Sequence, residues 1–550
     1  MIVDVNCIED NSTINSEVCI IGGGAAGIAL ANGLLKSQRD ILLIEAGGLK
    51  FNKKRQESYR GSVIDSSKHG ALDKYRRKVF GGTTTVWGGR CAPFDEIDFE
   101  YREGIADTGW PITLRDLLPY YKKSHCVLDL GEFDYDSSSI SGKPISLIDG
   151  FSTGIFENKI WRFSLPTDLR KKYFHVFKCS RNLRVLLNSE CTCLNTSKNG
   201  STVNNVEIIT DRLKKFCVRA NYYVLACGGL ENTRLLLISH DKQPGAFKNV
   251  ERNIGRFYLS HLSGLYGSVK VLPRSRLTAW NFTKTTDGVY SKRRIKLRDE
   301  IIRKEGLLNT SFLLDNYPPQ FPEHRNAVLS SLYIAKMFFS GRIPPEFSKA
   351  LSSDGYQYLA KHLLNIVRDP LSIAVFYPHF VAKRYLYKRK MPGIATRNND
   401  NLFYLHFDSE QSPCFNSTVT LNYSDTDELG RPKLLVDWKY NKSDVVSIRR
   451  SFQLLEKDII RANIGEMTLN TDDLEVYLEE NLSVGSHHIG TTRMSNTENN
   501  GVVDLNCKVF GSSNLFLAGP SVFPTSGYAN PVLTAVALAN MLADHLLKLL

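Results

Sequence analysis

Paired cysteine motifs are missing from this 550-residue sequence. Its eleven cysteines are scattered and form no CxxC, the spacing typical of metal sites and redox pairs. Cys191 and Cys193 stand two apart, which in a strand only places them on one face. Scattered thiols of this kind predict a reduced, cytoplasmic protein rather than a disulfide framework or a metal site.

Targeting and membrane-spanning signals are missing as well. The N-terminus, MIVDVNCIEDNST, has no basic start followed by an apolar run, so we expect no signal peptide. No stretch reaches the roughly 18 apolar residues that a transmembrane helix needs. Together these absences predict a cytoplasmic protein that is either soluble or peripheral on a membrane.

Charge is unevenly distributed along the chain. The net charge is +13, and residues 321–397 alone hold twelve Lys and Arg against four Asp and Glu. This segment could be a solvated basic face, a nucleic-acid patch, or a membrane-surface element or anionic-substrate lid. The solvated face is the default expectation. Among the functional alternatives we favour peripheral membrane contact, because Phe, Tyr, Leu and Ile are abundant in the segment, and we expect no nucleic-acid partner.

The strongest local motif lies near the N-terminus, in SEVCIIGGGAAGIALANGLL. Apolar runs predict a strand at 18–21, a helix at 28–35 and a second strand at 41–44, which ends at Glu45. Between the first strand and the helix, six small residues match GxGxxG: Gly22, Gly23, Gly24, Ala25, Ala26 and Gly27. Glycine triplets also form plain turns, so the weight comes from the whole strand–loop–helix–strand–acid series.

Each part of this series has a task in binding a dinucleotide. Gly22 allows a tight turn, Gly24 lets the backbone approach a pyrophosphate, and Gly27 lets the helix lie close to the strand. The helix N-terminus supplies amides for the phosphates. Glu45 can accept hydrogen bonds from a ribose diol and would repel a 2′-phosphate. The series therefore predicts FAD or NAD and not NADP.

Two further glycine-rich stretches favour FAD over NAD. KVFGGTTTVWGGRC (78–91) can wrap a flat ring system closely, with predicted contacts at Gly81, Gly82, Thr83 and Val86. YYVLACGGLENTRLLL (222–237) predicts a later strand of the same sheet that meets the cofactor at Gly228. Cofactor loops spread this far along the chain suit an elongated FAD.

The C-terminal block, residues 501–550, predicts one more strand, loop and helix. The strand covers 515–518 and ends at Gly519. Asn530 is a natural N-cap and Pro531 a natural first helical residue. Apolar residues at helical spacing predict that the helix is buried, either to close the domain or to stabilise a reduced flavin with its positive end. We expect all three named residues at the cofactor.

Two adjacent histidines, His487 and His488, lie in SVGSHHIGTTRM (483–494). Histidine is the usual general acid or base near neutral pH. On its own, the pair favours a hydrogen-bonded turn with one buried and one solvated imidazole over a catalytic role.

Taken together, these motifs resemble the glucose–methanol–choline (GMC) family of flavin oxidoreductases. The resemblance covers both ends of the chain and is best to the branch of pyranose oxidase and the sugar or polyol dehydrogenases. NIGRFYLSHL (253–262) and EQSPCFNSTVTL (410–421) also resemble family segments. About 266–400 shows no recognisable motif.

The resemblance implies an α/β fold with a Rossmann-like FAD-binding domain assembled from discontinuous segments. A substrate domain with an antiparallel sheet and helices would complete it. The expected FAD-binding parts are 1–100, 181–265 and 481–550, the last also catalytic. The expected substrate parts are a connecting segment at 101–180 and 266–480, which holds the basic aromatic insert.

The resemblance also implies roles for residues. The family pattern H-x-x-G-T makes His487 the catalytic base, with His488 beside it, and places Asn530 at the second active-site position. Val86 stands where pyranose oxidase bonds FAD covalently through histidine, so we expect non-covalent FAD. The implied reaction oxidises an alcohol, sugar or polyol by proton abstraction and hydride transfer, with an unknown electron acceptor. The alternatives are a FAD-containing lyase without net redox and an inactive flavin-binding scaffold.

Overall fold

The computed structural model describes the whole chain except residues 4, 141–144, 152, 274, 339–357, 399, 472 and 483. The strands of this described part, in chain order, are β1 Ile2–Val3, β2 Thr13–Ile21, β3 Ile41–Ile44, β4 Gly61–Val63, β5 Arg90–Cys91, β6 Phe156–Phe163, β7 Leu183–Leu186, β8 Ser189–Thr196, β9 Val203–Thr210, β10 Lys215–Leu225, β11 Pro244–Phe247, β12 His261–Val271, β13 Thr283–Lys284, β14 Tyr290–Leu297, β15 Thr310–Asp315, β16 Leu402–Glu410, β17 Thr418–Thr426, β18 Pro432–Asp437, β19 Gly465–Thr468 and β20 Leu515–Leu517.

The α-helices of the same part are α1 Ala25–Leu34, α2 Lys53–Gln56, α3 Glu96–Phe99, α4 Leu114–Leu128, α5 Leu169–Cys179, α6 Gly228–Lys242, α7 Asp299–Glu305, α8 Ala327–Phe338, α9 Leu359–Arg368, α10 Pro370–Val381, α11 Lys442–Arg461, α12 Leu474–Asn481 and α13 Val532–Leu549.

The first sheet is the nucleotide-binding layer. Its strand order is β1-β7-β3-β2-β10-β9-β8, with β20 also paired to β10. Strands β1, β7, β3, β2, β10 and β20 run parallel to one another. Strand β9 pairs in antiparallel fashion with both of its neighbours, β10 and β8. Strand β3 and the second half of β2, residues 18–21, are apolar and buried, as expected where both faces of a parallel sheet are covered. Segments from three distant parts of the chain thus form one sheet, as the predicted fold class requires.

Local sequence signals located this layer well. The predicted strand at 41–44 matches β3, while β2 extends the predicted 18–21 run back to Thr13. The predicted strand at 515–518 is β20, one residue shorter. The extra length of β2 reflects its pairing with β10 from Thr13 onwards, a tertiary contact without a local signal.

The second sheet is antiparallel and belongs to the other lobe. Its order is β19-β12-β16-β15-β14-β6-β5, with β13 paired to β14. A third sheet has three strands in the order β17-β18-β4, so β4 from the N-terminal region pairs with a strand from the region after β16. The predicted combination of a Rossmann-like domain and an antiparallel substrate sheet is therefore confirmed as a fold class. The domain boundaries themselves stay a prediction.

The C-terminal helix α13 packs into the core against α1 and α4. Gly33 makes this approach possible, since a Cβ there would lie 2.7 Å from the Cβ of Ala543. In the described chain, α13 is the one helix that is long and apolar enough to cross a membrane by length and composition. Its apolar window is 61% buried inside the protein, which is typical of a core helix.

Candidate active site

The loop between β2 and α1 has the geometry of a dinucleotide cradle. Gly22 has φ +110°, and a Cβ there would lie 2.5 Å from the carbonyl oxygen of Ala226. A side chain at Gly27 would overlap the Gly22 oxygen, so this glycine lets α1 lie against the turn. By contrast, a Cβ at Gly24 would meet nothing within 4 Å. Gly22 thus allows the tight turn, Gly27 allows the helix to pack closely, and Gly24 leaves the backbone open to a ligand, as their spacing predicts.

Glu45 closes the cradle from the end of β3. Its carboxylate oxygens accept hydrogen bonds from the backbone N–H groups of Gly23, at 2.7 Å, and Gly47, at 2.6 Å. Burial raises the pKa of Glu45, and these two N–H groups oppose the rise. Each oxygen retains a second acceptor position that a hydroxyl donor can use.

A cleft of about 250 Å³ runs along the carboxyl ends of the parallel strands. Most predicted site residues line it: Gly22, Gly24, Ala25, Ala26, Glu45, Gly82, Thr83, Gly228, His487, Gly519 and Pro531. Four predicted residues do not: Gly27, Gly81, Val86 and Asn530. Chain segments about 500 residues apart in sequence therefore share one cleft.

The glycine–threonine loop reaches the cleft through its backbone. Gly81 has φ +91°, and its N–H donates to the Gly23 oxygen at 2.8 Å. A 3₁₀ turn at Gly82–Thr85 follows and places Thr83 in the lining. Val86, just after the turn, is 57% exposed and is not among the lining residues. Gly81 therefore positions the loop, while the turn forms the wall.

Charged side chains missed by sequence reasoning also line the cleft. Arg76 donates to Glu231 at 2.7 Å, and the ammonium of Lys78 lies 2.7 Å from Glu190. Glu190 accepts a second contact from Arg431. Isolated charges on scattered elements carry no motif, so only the fold shows that they meet here.

His487 and Asn530 are in direct contact, with Asn530 Nδ2 3.1 Å from His487 Nε2. Arg90 Nε lies 2.9 Å from Asn530 Oδ1. Because an arginine nitrogen can only donate, the atom facing it must be the amide oxygen, so the NH₂ group faces the imidazole. The amide then donates to Nε2, which assigns the ring proton to Nδ1.

The prediction that Asn530 caps the final helix is wrong. The cap position of α13 is Pro531, the helix begins at Val532, and its first turn has no side-chain cap. The Asn530 amide is engaged instead by His487 and Arg90. Tertiary partners outcompete the local cap that sequence reasoning expected.

The surroundings of His487 keep its imidazole neutral. Burial lowers the pKa of His487 well below its ordinary value, and His261 and Arg90 lower it further. The His261 ring meets it edge-on, with centroids 4.7 Å apart and planes at 85°. Burial also lowers the pKa of His261 to about 4. Two neutral imidazoles therefore stand together at pH 7.

Arg90 is held by the antiparallel sheet. It lies on β5 and contacts Asp408 of β16, with nitrogen–oxygen distances of 3.2 and 3.3 Å. Burial alone would raise the pKa of Asp408, but Arg90 and His406 outweigh it and hold that pKa well below its usual range. His406 Nε2 lies 3.4 Å from the same carboxylate. The ionised Asp408 thus fixes the guanidinium that orients Asn530.

His488 lies next to the proposed base and also lines the cleft, but its ring packs against a different side chain. Its ring stacks on Tyr258, with centroids 6.2 Å apart and planes at 13°. Burial, with Arg76 nearby, lowers the pKa of His488 well below its ordinary value. A side chain at Gly229 would overlap the His488 oxygen, so this backbone is locked against α6. Its contacts are those of a packed residue.

The residues present fit an adenine dinucleotide with a flavin. The open cradle at Gly24, the acidic end of β3 and the N-terminus of α13 line one continuous cleft. The imidazole–amide pair adjoins the end of the cleft formed by Pro531 and Val532. The fold and the cleft therefore have the form of a Rossmann-type dinucleotide-binding layer, with a histidine–asparagine contact beside the cleft.

Comparison with known proteins finds similarity to one family in the C-terminal part of the chain. Residues 415–539 match the family model described as GMC oxidoreductase. The predicted resemblance to this family is confirmed, and the family model covers the part of the chain from 415 to 539.

Individual relatives are more distant. The chain is 29% identical to 6'''-hydroxyparomomycin C oxidase of Streptomyces lividus over 19% of its own length and 21% of the relative's. It is 20% identical to oxygen-dependent choline dehydrogenase of Rhizobium meliloti (strain 1021), over 97% of this chain and 96% of the relative. The crystal structure of pyridoxine 4-oxidase from Mesorbium loti superposes with a TM-score of 0.57 at 16% identity, covering 97% and 99% of the two chains. This last likeness shows the fold.

Proposed function

We propose that the protein is a FAD-dependent oxidoreductase acting on a CH–OH group of an alcohol, sugar or polyol. The observation that carries the proposal is the His487–Asn530 contact beside a dinucleotide cleft. The C-terminal GMC oxidoreductase domain supports the same class of reaction. A sugar or polyol is favoured by the 31% identity, over 23% of this chain, to C-glycoside 3-oxidase of Microbacterium trichothecenolyticum.

The chain's own residues supply proton transfer and positioning. The lone pair of His487 Nε2, which accepts from Asn530 Nδ2 in the structure, would turn to the substrate hydroxyl and accept its proton. Asn530 Nδ2, 3.1 Å from that nitrogen, donates a hydrogen bond to the same substrate oxygen. Arg90 keeps the amide in this orientation by donating to Oδ1. Bound FAD supplies the acceptor for the hydride that leaves the carbon.

The cofactor is proposed to be FAD, held without a covalent bond. Val86 has no nucleophilic atom, so the residue at this loop position cannot form the link that a histidine there would allow. The amides at the start of α1 would hold the pyrophosphate, and Glu45 the ribose hydroxyls.

Glu45 variants are expected to weaken FAD binding. Glu45→Ala removes the charged acceptor for the ribose, which corresponds to about 10- to 100-fold weaker affinity if about 1.5–3 kcal/mol is lost. Glu45→Gln should also weaken it, because the new NH₂ group would face the N–H of Gly23 or Gly47. Release of flavin on dilution, followed by fluorescence, measures the change. The exposed Glu57→Gln is the matched control, and equal retention of FAD in all four proteins would contradict the role of Glu45.

Anaerobic mixing of the FAD-loaded protein with candidate substrates tests the reaction class. We expect a sugar, polyol or other alcohol to bleach the flavin absorbance near its visible maximum. The lyase alternative predicts cleavage of a cyanohydrin with no bleaching. A screen over sugars, polyols, sterols and aliphatic alcohols in which none bleaches the flavin, while dithionite does, would reject the proposal. Repeating the productive reaction with oxygen or an artificial dye identifies the acceptor.

A further inference from the structure

A surface formed by residues 359–390 combines exposed apolar side chains with positive charge, and we call it the basic apolar surface. It consists of α9, α10, a π-helical turn at Ala382–Leu386 and the residues that follow. Its one acidic residue is Asp369. Its cationic residues are Lys361, Arg368, Lys383, Arg384, Lys388, Arg389 and Lys390. It lies within the predicted insert at 321–397, of which 339–357 fall outside the described residues.

Helix α9 turns its polar side chains toward the protein. His362 and Asn365 are both buried. His362 Nδ1 lies 3.0 Å from Ser330 Oγ, and Asn365 Nδ2 donates to the Pro322 oxygen at 2.9 Å. The exposed side chains on the other face include Leu363, Leu364 and Val367, the last 74% exposed. Since surface helices normally bury their apolar face, this orientation is reversed.

Helix α10 continues the exposed apolar area. Its sequence, PLSIAVFYPHFV, is almost wholly apolar, yet none of its residues is buried. Leu371 and Val375 stand one turn apart and are 75% and 71% exposed. Leu386 in the following turn is also exposed. A contiguous apolar area of this kind marks a contact with another apolar phase or partner.

We propose that the basic apolar surface docks the protein on a bilayer that contains anionic lipid. Exposed aliphatic side chains such as Leu371 can enter the boundary between headgroups and acyl chains. The surrounding Lys and Arg can bind the anionic headgroups, with their long apolar stems lying along the interface. Both features of the surface are then used by one partner.

A second copy of the chain or a nucleic acid would match only one of the two features, the exposed apolar side chains or the positive charge. In a symmetric dimer the same patch faces itself, which would set seven cations against seven with one Asp369 on each side. A nucleic acid would contact the cations but leave Val367, Leu371 and Val375 against its phosphates. The proposal rests on this surface alone and is independent of the proposed oxidoreductase activity.

Co-sedimentation of the full-length, FAD-loaded protein with vesicles tests the proposal. We expect binding to vesicles of phosphatidylcholine with roughly one third phosphatidylserine, and much less to phosphatidylcholine alone. Binding should fall between about 0.05 M and 0.5 M salt, as headgroup attraction is screened. Lys361→Glu with Lys388→Glu should remove the preference for the anionic lipid.

An apolar pair of substitutions tests insertion. Val367→Asp with Leu371→Asp should weaken partitioning at least about tenfold, since two side chains no longer enter the interface. Val446→Asp with Ile460→Asp, on exposed positions of α11, is the matched control and should bind as the parent does. The flavin spectrum of each variant reports whether it is folded and loaded.

Three results would overturn the proposal. In the first, the parent does not sediment with anionic vesicles. In the second, the Val367→Asp and Leu371→Asp double variant binds as well as the parent. In the third, the α11 control loses as much binding as that double variant. A parent that is dimeric by light scattering, fails to bind vesicles and becomes monomeric through the same substitutions would identify a second copy as the partner. If no alcohol bleaches the flavin of the parent, the oxidoreductase proposal is rejected, and the outcome of these vesicle measurements is unaffected.

Discussion

Replacing His487 by alanine is expected to leave FAD bound and to slow flavin reduction by the substrate about 10²- to 10⁴-fold, the usual contribution of a general base. The cleft wall around Gly24 and Glu45 is untouched, so the protein should remain yellow. The loss has a specific cause, because Nε2 is the ring nitrogen that faces Asn530 and carries no proton. Stopped-flow absorbance under anaerobic conditions measures the rate.

His488→Ala is the matched control for this substitution. Its ring is packed against Tyr258, so its removal should affect stability more than flavin reduction. If His487→Ala reduces the flavin as fast as the parent does, the assignment of the base is wrong. An equal large loss in both would contradict the distinction between the two histidines.

Asn530→Asp is expected to move the acid limb of the rate profile upward by about one to three pH units, the usual effect of a carboxylate beside a histidine. In the parent, burial keeps the pKa of His487 well below its ordinary value, so its active neutral form persists into mildly acidic solution. A carboxylate about 3 Å from Nε2 would stabilise the imidazolium and raise that pKa. The base would then take up its proton at a higher pH than in the parent, so activity should be lost at a higher pH as the solution is acidified.

The pH dependence of kcat/KM for the parent, Asn530→Asp and Asn530→Ala checks this expectation. The alanine variant loses the amide donor and should be slower, but it adds no negative charge, so its acid limb should not move upward. The aspartate is isosteric and retains an acceptor for Arg90, which keeps the local fold intact. Superimposable pH profiles for Asn530→Asp and the parent would contradict the proposed contact between residue 530 and the base.

Much of the nucleotide-binding layer could be predicted because its signals are local. Strand β3, the GxGxxG loop and Glu45 lie within one short stretch, and each has a backbone requirement that limits the residue type. His487 and Asn530 were predicted through family motifs, and the structure brings their side chains together. The helical role expected of Asn530 failed because a local capping preference is weak against two tertiary hydrogen bonds.

By itself, the sequence determined the class of fold, the cradle at Gly22–Gly27, the acidic end of β3 and two candidate catalytic residues. Only the tertiary structure placed Arg90 and Asp408 behind that pair and His261 against the base, because these residues lie on strands far apart in sequence. It also decided that Val86 is exposed and outside the cleft lining and that α9 exposes its apolar face. The physical reason is common to all of these: periodicity and motifs report what a segment needs locally, whereas side-chain orientation and pKa depend on neighbours supplied by other segments.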